Sequence, residues 1–122
     1  MQMLTRVVLM RNWTLTVFLS IFIFWASIIK TPSIIHSSHW LLGNIDKLIH
    51  FVLYAIYSLS LFISFNASKG KCYTSFMISV SYGFFIECMQ SFTPYRSFDL
   101  YDILFNALGS FSMLFYLHRY KR

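Results

Sequence analysis

The chain has only four acidic side chains, Asp46, Glu87, Asp99 and Asp102, and each stands in or beside the end of a long apolar run. A carboxylate at the edge of a hydrocarbon layer costs several kcal/mol unless a polar group meets it, so four in such places read as one site. Asp46 and His50 are spaced i, i+4 and share a helix face. Glu87 and Gln90 are spaced i, i+3, and their face continues through Gly83 and Ser79. Asp99, Asp102 and Asn106 follow at i, i+3, i+7 and run on into Gly109 and Ser110. An imidazole beside carboxylates is equipment for general acid–base or nucleophilic chemistry. Arg96, three residues before Asp99, carries a guanidinium that fits two phosphate oxygens at once.

Each residue also has a plainer role. His50 alone would read as a hydrogen-bonded helix residue, and Asp46 one turn away is what raises it to a candidate. Asp46 and Asp99 stand where N-cap or first-turn acids belong. Glu87 lies toward the C-terminal, dipole-unfavourable end of its run, so it cannot cap and needs a partner, for which Arg96 and His50 are the obvious choices. Asp99 with Asp102 would be a sparse cation site without a D-x-D pattern or a third close acid, so no metal ligand and no cofactor is assigned. Tyr54, Tyr57, Tyr95 and Tyr101 read as packing or interfacial residues, and His36 and His39 as wet loop residues.

The elements that must position these groups are apolar. In 122 residues, 57% hydrophobic and 20% aromatic content against 11% charge is far from a soluble domain of that size. A single membrane domain over 1–122 is expected. Four runs, 12–29, 48–65, 72–92 and 100–117, come close to the roughly 20 residues that cross a hydrocarbon core about 30 Å thick. The basic residues sit between these runs and form no stripe, which argues against nucleic acid as a partner. Seven of them (Arg6, Arg11, Lys69, Lys71, Arg119, Lys121, Arg122) fall on one side and three (Lys30, Lys47, Arg96) on the other. The positive-inside rule then places both termini in the cytoplasm of a multi-pass protein, with loops 30–47 and 93–99 outward. The first run reads as a retained anchor, because the tract after it lacks an A-x-A-like cleavage site. Cys72 and Cys88 lie sixteen positions apart on one run, about 24 Å along a helix and too far to bridge.

Ser79-x-x-x-Gly83 and the Gly109-Ser110 pair let helix backbones approach closely. Packing along those stripes turns the polar ends toward one another. The expected fold is therefore an all-α four-transmembrane-helix bundle with a polar cluster at the outer end of helices 2–4.

The residues that form the cluster also carry a resemblance. D-K-L-I-H-F-V-L-Y from Asp46 to Tyr54, Y-G-F-F-I-E-C-M-Q-S-F from Tyr82 to Phe92, and R-S-F-D-L-Y-D-I-L-F-N-A-L-G from Arg96 to Gly109 are similar to the three motifs of the VanZ-like family. These are small polytopic membrane proteins named for an accessory protein of teicoplanin resistance, and the likeness extends over roughly residues 44–115. It implies a membrane bundle with polar residues at one end and, through a proposed distant relationship, action on lipid head groups. On that reading Asp46, His50 and Glu87 are the catalytic candidates, and Gln90, Arg96, Asp99, Asp102 and Asn106 bind substrate. The implied partner is a membrane lipid or a lipid-linked envelope precursor, with a possible link to glycopeptide resistance. A non-catalytic binding or accessory role for the same pocket stays open beside the enzymatic one.

Overall fold

The computed structural model describes residues 2–29, 39–94 and 96–120. Among them are four α-helices and no strand: α1 Gln2–Ile28, α2 His39–Ser64, α3 Cys72–Ser91 and α4 Leu100–Tyr120. Pro94 falls between α3 and α4, and no proline lies within a described helix, so no ring interrupts those backbone ladders.

Two helices begin earlier than the hydropathy implies. α1 reaches back to Gln2 rather than 12, and α2 starts at His39 rather than 48. His39 and the segment 40–47 are therefore helical, not part of an outward loop. The apolar-to-polar transition marks where a helix leaves an apolar environment and not where its backbone ends; here α2 runs without a break through Gly43 and Asn44. Lys30, Pro32, His36, Tyr95, Lys121 and Arg122 lie outside the described residues.

The turn between α2 and α3 is short, as its length requires. Ala67 N–H donates to the Phe62 carbonyl at 2.9 Å and Asn66 N–H to that of Ile63 at 3.0 Å, closing the helix end. Asn66 and Ala67 take left-handed backbone angles, φ 60° and 51°. A single 3-10 turn over Lys69–Lys71 then leads into α3.

Helix α2 is the centre of the bundle. It packs most extensively on α4, which also meets α3, while α1 lies mainly along α2. The deepest approach is at Gly109, where an added Cβ would stand 2.1 Å from the Phe51 carbonyl oxygen. Only a residue without a side chain fits there. At Gly83 a Cβ would meet the Asn106 amide and the Tyr54 ring, both at 3.1 Å.

Hydroxyl groups fasten the helices to one another. Thr16 and Ser64 are 2.8 Å apart across α1 and α2, and Ser64 also donates to the Asn12 carbonyl at 3.1 Å. Ser20 donates to the Tyr57 hydroxyl at 3.0 Å, and Tyr82 donates to the Ser20 carbonyl. Between α3 and α4, Ser79 and Ser110 are 2.6 Å apart. The buried apolar clusters are small: Ile23, Tyr54, Tyr57, Leu61 and Ile86 in one, Phe62, Cys72 and Leu114 in the other.

Large apolar side chains line the outside instead, among them Phe18, Ile21, Trp25, Leu48, Val52, Phe84 and Phe111. A monomer in water rarely shows so much contiguous apolar surface. Asn44–Ser64 in α2 and Leu100–Tyr120 in α4 are each long and apolar enough to cross a membrane, with a shorter apolar stretch Asn12–Ile28 in α1. Helix α3 is not among them, although the sequence led us to expect four crossings. Its polar residues Ser75, Ser79, Glu87 and Gln90 lower its hydropathy, yet all four are buried, while Met77, Ile78, Phe84 and Phe85 face out.

The glycine geometry yields an ordered pair of outcomes for thermal unfolding in detergent. Gly109→Ala drives a methyl into backbone and should cost about 1–3 kcal/mol or more. Gly83→Ala meets side chains that can shift and should cost less. Equal stability of Gly109→Ala and wild type would show that α2 and α4 do not meet so closely.

Candidate functional site

One face of α2 supplies Asp46, His50 and Tyr54, each separated by four residues. Burial deepens along it. The Asp46 side chain is 45% exposed and that of His50 10%, while Tyr54 is 1% exposed. Because α2 starts at His39, Asp46 lies two turns inside the helix and is no cap, contrary to the expectation from the apolar run.

His50 faces α4 through both ring nitrogens. Nδ1 is 2.9 Å from the Asn106 side-chain oxygen. An amide oxygen only accepts, so this contact puts a proton on Nδ1 and leaves Nε2 as the working nitrogen. Nε2 lies 3.6 Å from Asp102 Oδ2 and 3.9 Å from Asp46 Oδ2. Asn106 thus orients the ring, and Asp46 and Asp102 flank its other edge.

Helix α4 enters the site at its N-terminus. Asp99 Oδ1 accepts from the Tyr101 N–H at 2.8 Å, a working N-cap. Its other oxygen is 3.8 Å from Lys47 Nζ, which reaches across from α2. Asp102 in the first turn is buried, as is Asn106 one turn on. An acid in the first turn of a helix is favoured by the aligned backbone dipoles.

Glu87 on α3 is fully buried. Two neighbouring groups donate to its carboxylate. The Asp99 N–H at the entry of α4 donates to Oε2 at 3.4 Å. Gln90, with its amide NH2 turned toward Glu87, donates at 3.1 Å to Oε1 and 3.3 Å to Oε2. The carboxylate at the unfavourable end of its own helix thus sits at the favourable end of the next. His50, Asp99 and Asp102 are near enough to act electrostatically on Glu87. Arg96 is half-buried in the segment that leads from α3 into α4.

Contacts thus join His50 to Asp46, Asp102 and Asn106, and Glu87 to Gln90 and Asp99. Tyr54 joins them as a residue the sequence assigned to packing. Its place two turns below Asp46 on the same face was the signal that could have found it. Three buried atoms here have no hydrogen-bond partner in the protein: the Tyr54 hydroxyl, Asp102 Oδ1 and Asn106 Nδ2. Buried polar atoms are seldom left so, and together they offer two donors and one acceptor. Asp46, His50 and Asp102 also bring one ligand-type atom each to within 4.8 Å of the others, a different grouping from the Asp99 and Asp102 pair considered from the sequence.

Comparison with known proteins gives one family and one distant relative. A family model described as VanZ/LLP1 matches residues 2–119, nearly the whole chain. An uncharacterised protein of the yeast Schizosaccharomyces pombe is 35% identical over 80 residues, covering 63% of this chain and 49% of the relative. The match thus spans about half the length of that relative. No solved structure matches the chain.

Two substitutions separate the roles of Asp99. Asp99→Ala removes the cap and should cost about 1 kcal/mol. Asp99→Asn keeps an acceptor and loses only the half-exposed pair with Lys47, a change of about 0–1 kcal/mol. Thermal unfolding of both variants checks the order. Equal losses would mean that the charge, not the cap, is what matters.

Proposed function

The chain belongs to the VanZ/LLP1 family, and we propose that it is a multi-pass membrane protein whose polar cluster takes the phospho-head group of a membrane lipid and transfers or hydrolyses it. The observation that carries this reading is the set of unsatisfied buried atoms, Tyr54 hydroxyl, Asp102 Oδ1 and Asn106 Nδ2, beside His50 and Glu87. Groups of both hydrogen-bonding kinds, buried at one end of a bundle with an apolar exterior, suit a ligand that is polar at one end and hydrocarbon at the other.

In this reading all four helices cross the bilayer as one domain, with both termini cytoplasmic and the cluster in the outer leaflet. The inward burial of the α3 polar residues supports a fourth crossing, and the seven-to-three split of basic residues supports the orientation. Arg96 and Asn106 Nδ2 meet phosphate oxygens, with Gln90 and Asp99 holding Glu87 in place. Glu87 takes up or gives the proton that the reaction moves. His50 works through Nε2, between Asp46 and Asp102. Burial makes these fixed dipoles count for more than they would in water.

Incubating purified protein with labelled membrane lipids, followed by mass analysis of the head groups, tests the reaction. His50→Ala and Glu87→Gln should each lower turnover by about 10²–10⁴-fold at unchanged protein level. Arg96→Lys keeps the charge but loses the two-pronged phosphate contact, so it should weaken head-group binding. Full turnover in all three variants would rule out chemistry at this cluster. Binding that depends on Arg96 without any turnover would leave a non-catalytic receptor for the head group.

Orientation has its own measurement. A cysteine replacing Ser97 should react with a membrane-impermeant thiol reagent in intact cells, while one replacing Ser68 should not. The reverse pattern would invert the protein.

A further inference from the structure

The geometry points to a divalent-cation site formed by Asp46, His50 and Asp102, with His50 Nε2 as the nitrogen ligand. Three features on two helices converge on it. The first is the distance pattern: Nε2 is 3.6 Å from Asp102 Oδ2 and 3.9 Å from Asp46 Oδ2, and all three ligand atoms fall within 4.8 Å of one another. A charged N–H donor in direct contact with a carboxylate closes to about 2.7–2.9 Å. Atoms that share a metal ion at about 2.1 Å each stand roughly 3.0–3.9 Å apart, depending on the angle between them. The observed separations are too long for the first arrangement and fit the second.

The second feature is the ring orientation. The Asn106 oxygen at 2.9 Å fixes a proton on Nδ1, so Nε2 is the nitrogen that faces the two carboxylates. Three electron-rich atoms facing one another repel unless a positive charge lies among them. An imidazole whose far nitrogen is held by a polar side chain is the usual arrangement of a metal-bound histidine. Lys47, the basic side chain next to Asp46, is engaged with Asp99 at 3.8 Å.

The third feature is independent of the cluster's internal distances. Asp102 is 6% exposed, and its second oxygen, Oδ1, is buried without a hydrogen-bond partner. A buried carboxylate oxygen left so is costly, and bidentate or bridging coordination satisfies it. One imidazole nitrogen with two carboxylates is a borderline donor set, suited to Mn²⁺ or Zn²⁺ rather than to soft cations. Three protein ligands leave coordination positions for water or a phosphate oxygen, and the half-exposed Asp46 puts those positions toward the mouth.

This site deepens the head-group reading, since a cation there would meet the phosphate, and it makes Nε2 a ligand so that proton transfer falls to Glu87. Its test needs no lipid, so its failure and that of the head-group reading are distinguishable. Full-length protein in detergent, stripped with a chelator, is titrated with Mn²⁺ followed by electron paramagnetic resonance and, separately, with Zn²⁺ by equilibrium dialysis. One ion per chain is expected. Asn106→Ala, which removes the acceptor at the ring's far nitrogen and none of the three ligands, should weaken binding by about 10–100-fold. Asp102→Asn should weaken it further. Asp46→Asn is the deciding variant, because Asp46 is half-exposed and its loss leaves the buried core untouched. Retained stoichiometric binding in folded Asp46→Asn, checked by circular dichroism and gel filtration, would overturn the site. Failure of wild type to bind either ion would overturn it as well.

Discussion

The backbone contact between α2 and α4 at Phe51 and Gly109 sets the rest of the structure. With no side chain at Gly109, α4 approaches until its backbone lies against the Phe51 carbonyl. Phe51 is the neighbour of His50, and Asn106 is one turn from Gly109. Closeness at the contact therefore becomes closeness at the site, where the His50 ring reaches Asn106 at 2.9 Å and Asp102 at 3.6 Å. A longer interhelical distance would leave His50 with Asp46, on its own helix, as its remaining partner. Gly83 does similar work from α3, letting Asn106 and Tyr54 fill the space that a side chain would occupy.

The second constraint is the distribution of polarity. Serines, a threonine, Glu87, Gln90 and Asn106 occupy the interior, while phenylalanines, isoleucines and leucines cover the outside. In water that arrangement would be unfavourable, since burial of apolar area is the main driving force. In a bilayer, association depends on close packing and on hydrogen bonds between helices, which is what small hydroxyl residues supply. The Thr16–Ser64 and Ser79–Ser110 contacts are such bonds, one holding α1 to α2 and the other α3 to α4. The interior cluster is thus not an isolated insertion of polarity but the end of a polar seam that runs through the bundle.

How much of this was legible in the sequence depends on the range of the interaction. Helix content, the i, i+4 pair of Asp46 and His50, the close-packing stripes and the Asp99 cap all rest on local spacing, and the structure contains them. The start of α2 was misjudged because hydropathy reports surroundings, whereas the helix continues until its backbone is capped or broken; Asp46 lost its capping role with that shift. Tyr54 was passed over because an aromatic residue in an apolar run carries no sign of an unsatisfied hydroxyl. The Asp99 N–H that meets Glu87 and the Asn106 oxygen that orients His50 are contacts between elements. Spacing along one helix cannot order them.

Burial grades the site from mouth to floor, and the grade assigns different work to similar groups. Asp46, Lys47 and Asp99 are partly exposed, so their charges are screened and their side chains can adjust to a ligand that arrives. His50 and Asp102 lie just beneath, and Glu87, Asn106 and Tyr54 form the floor. A carboxylate on the floor needs fixed donors, and Glu87 has them in the Gln90 amide and the first backbone N–H at the α4 entry. In such a site a ligand exchanges its water for groups already oriented, which is the condition under which a few buried dipoles have a large effect on a reacting charge.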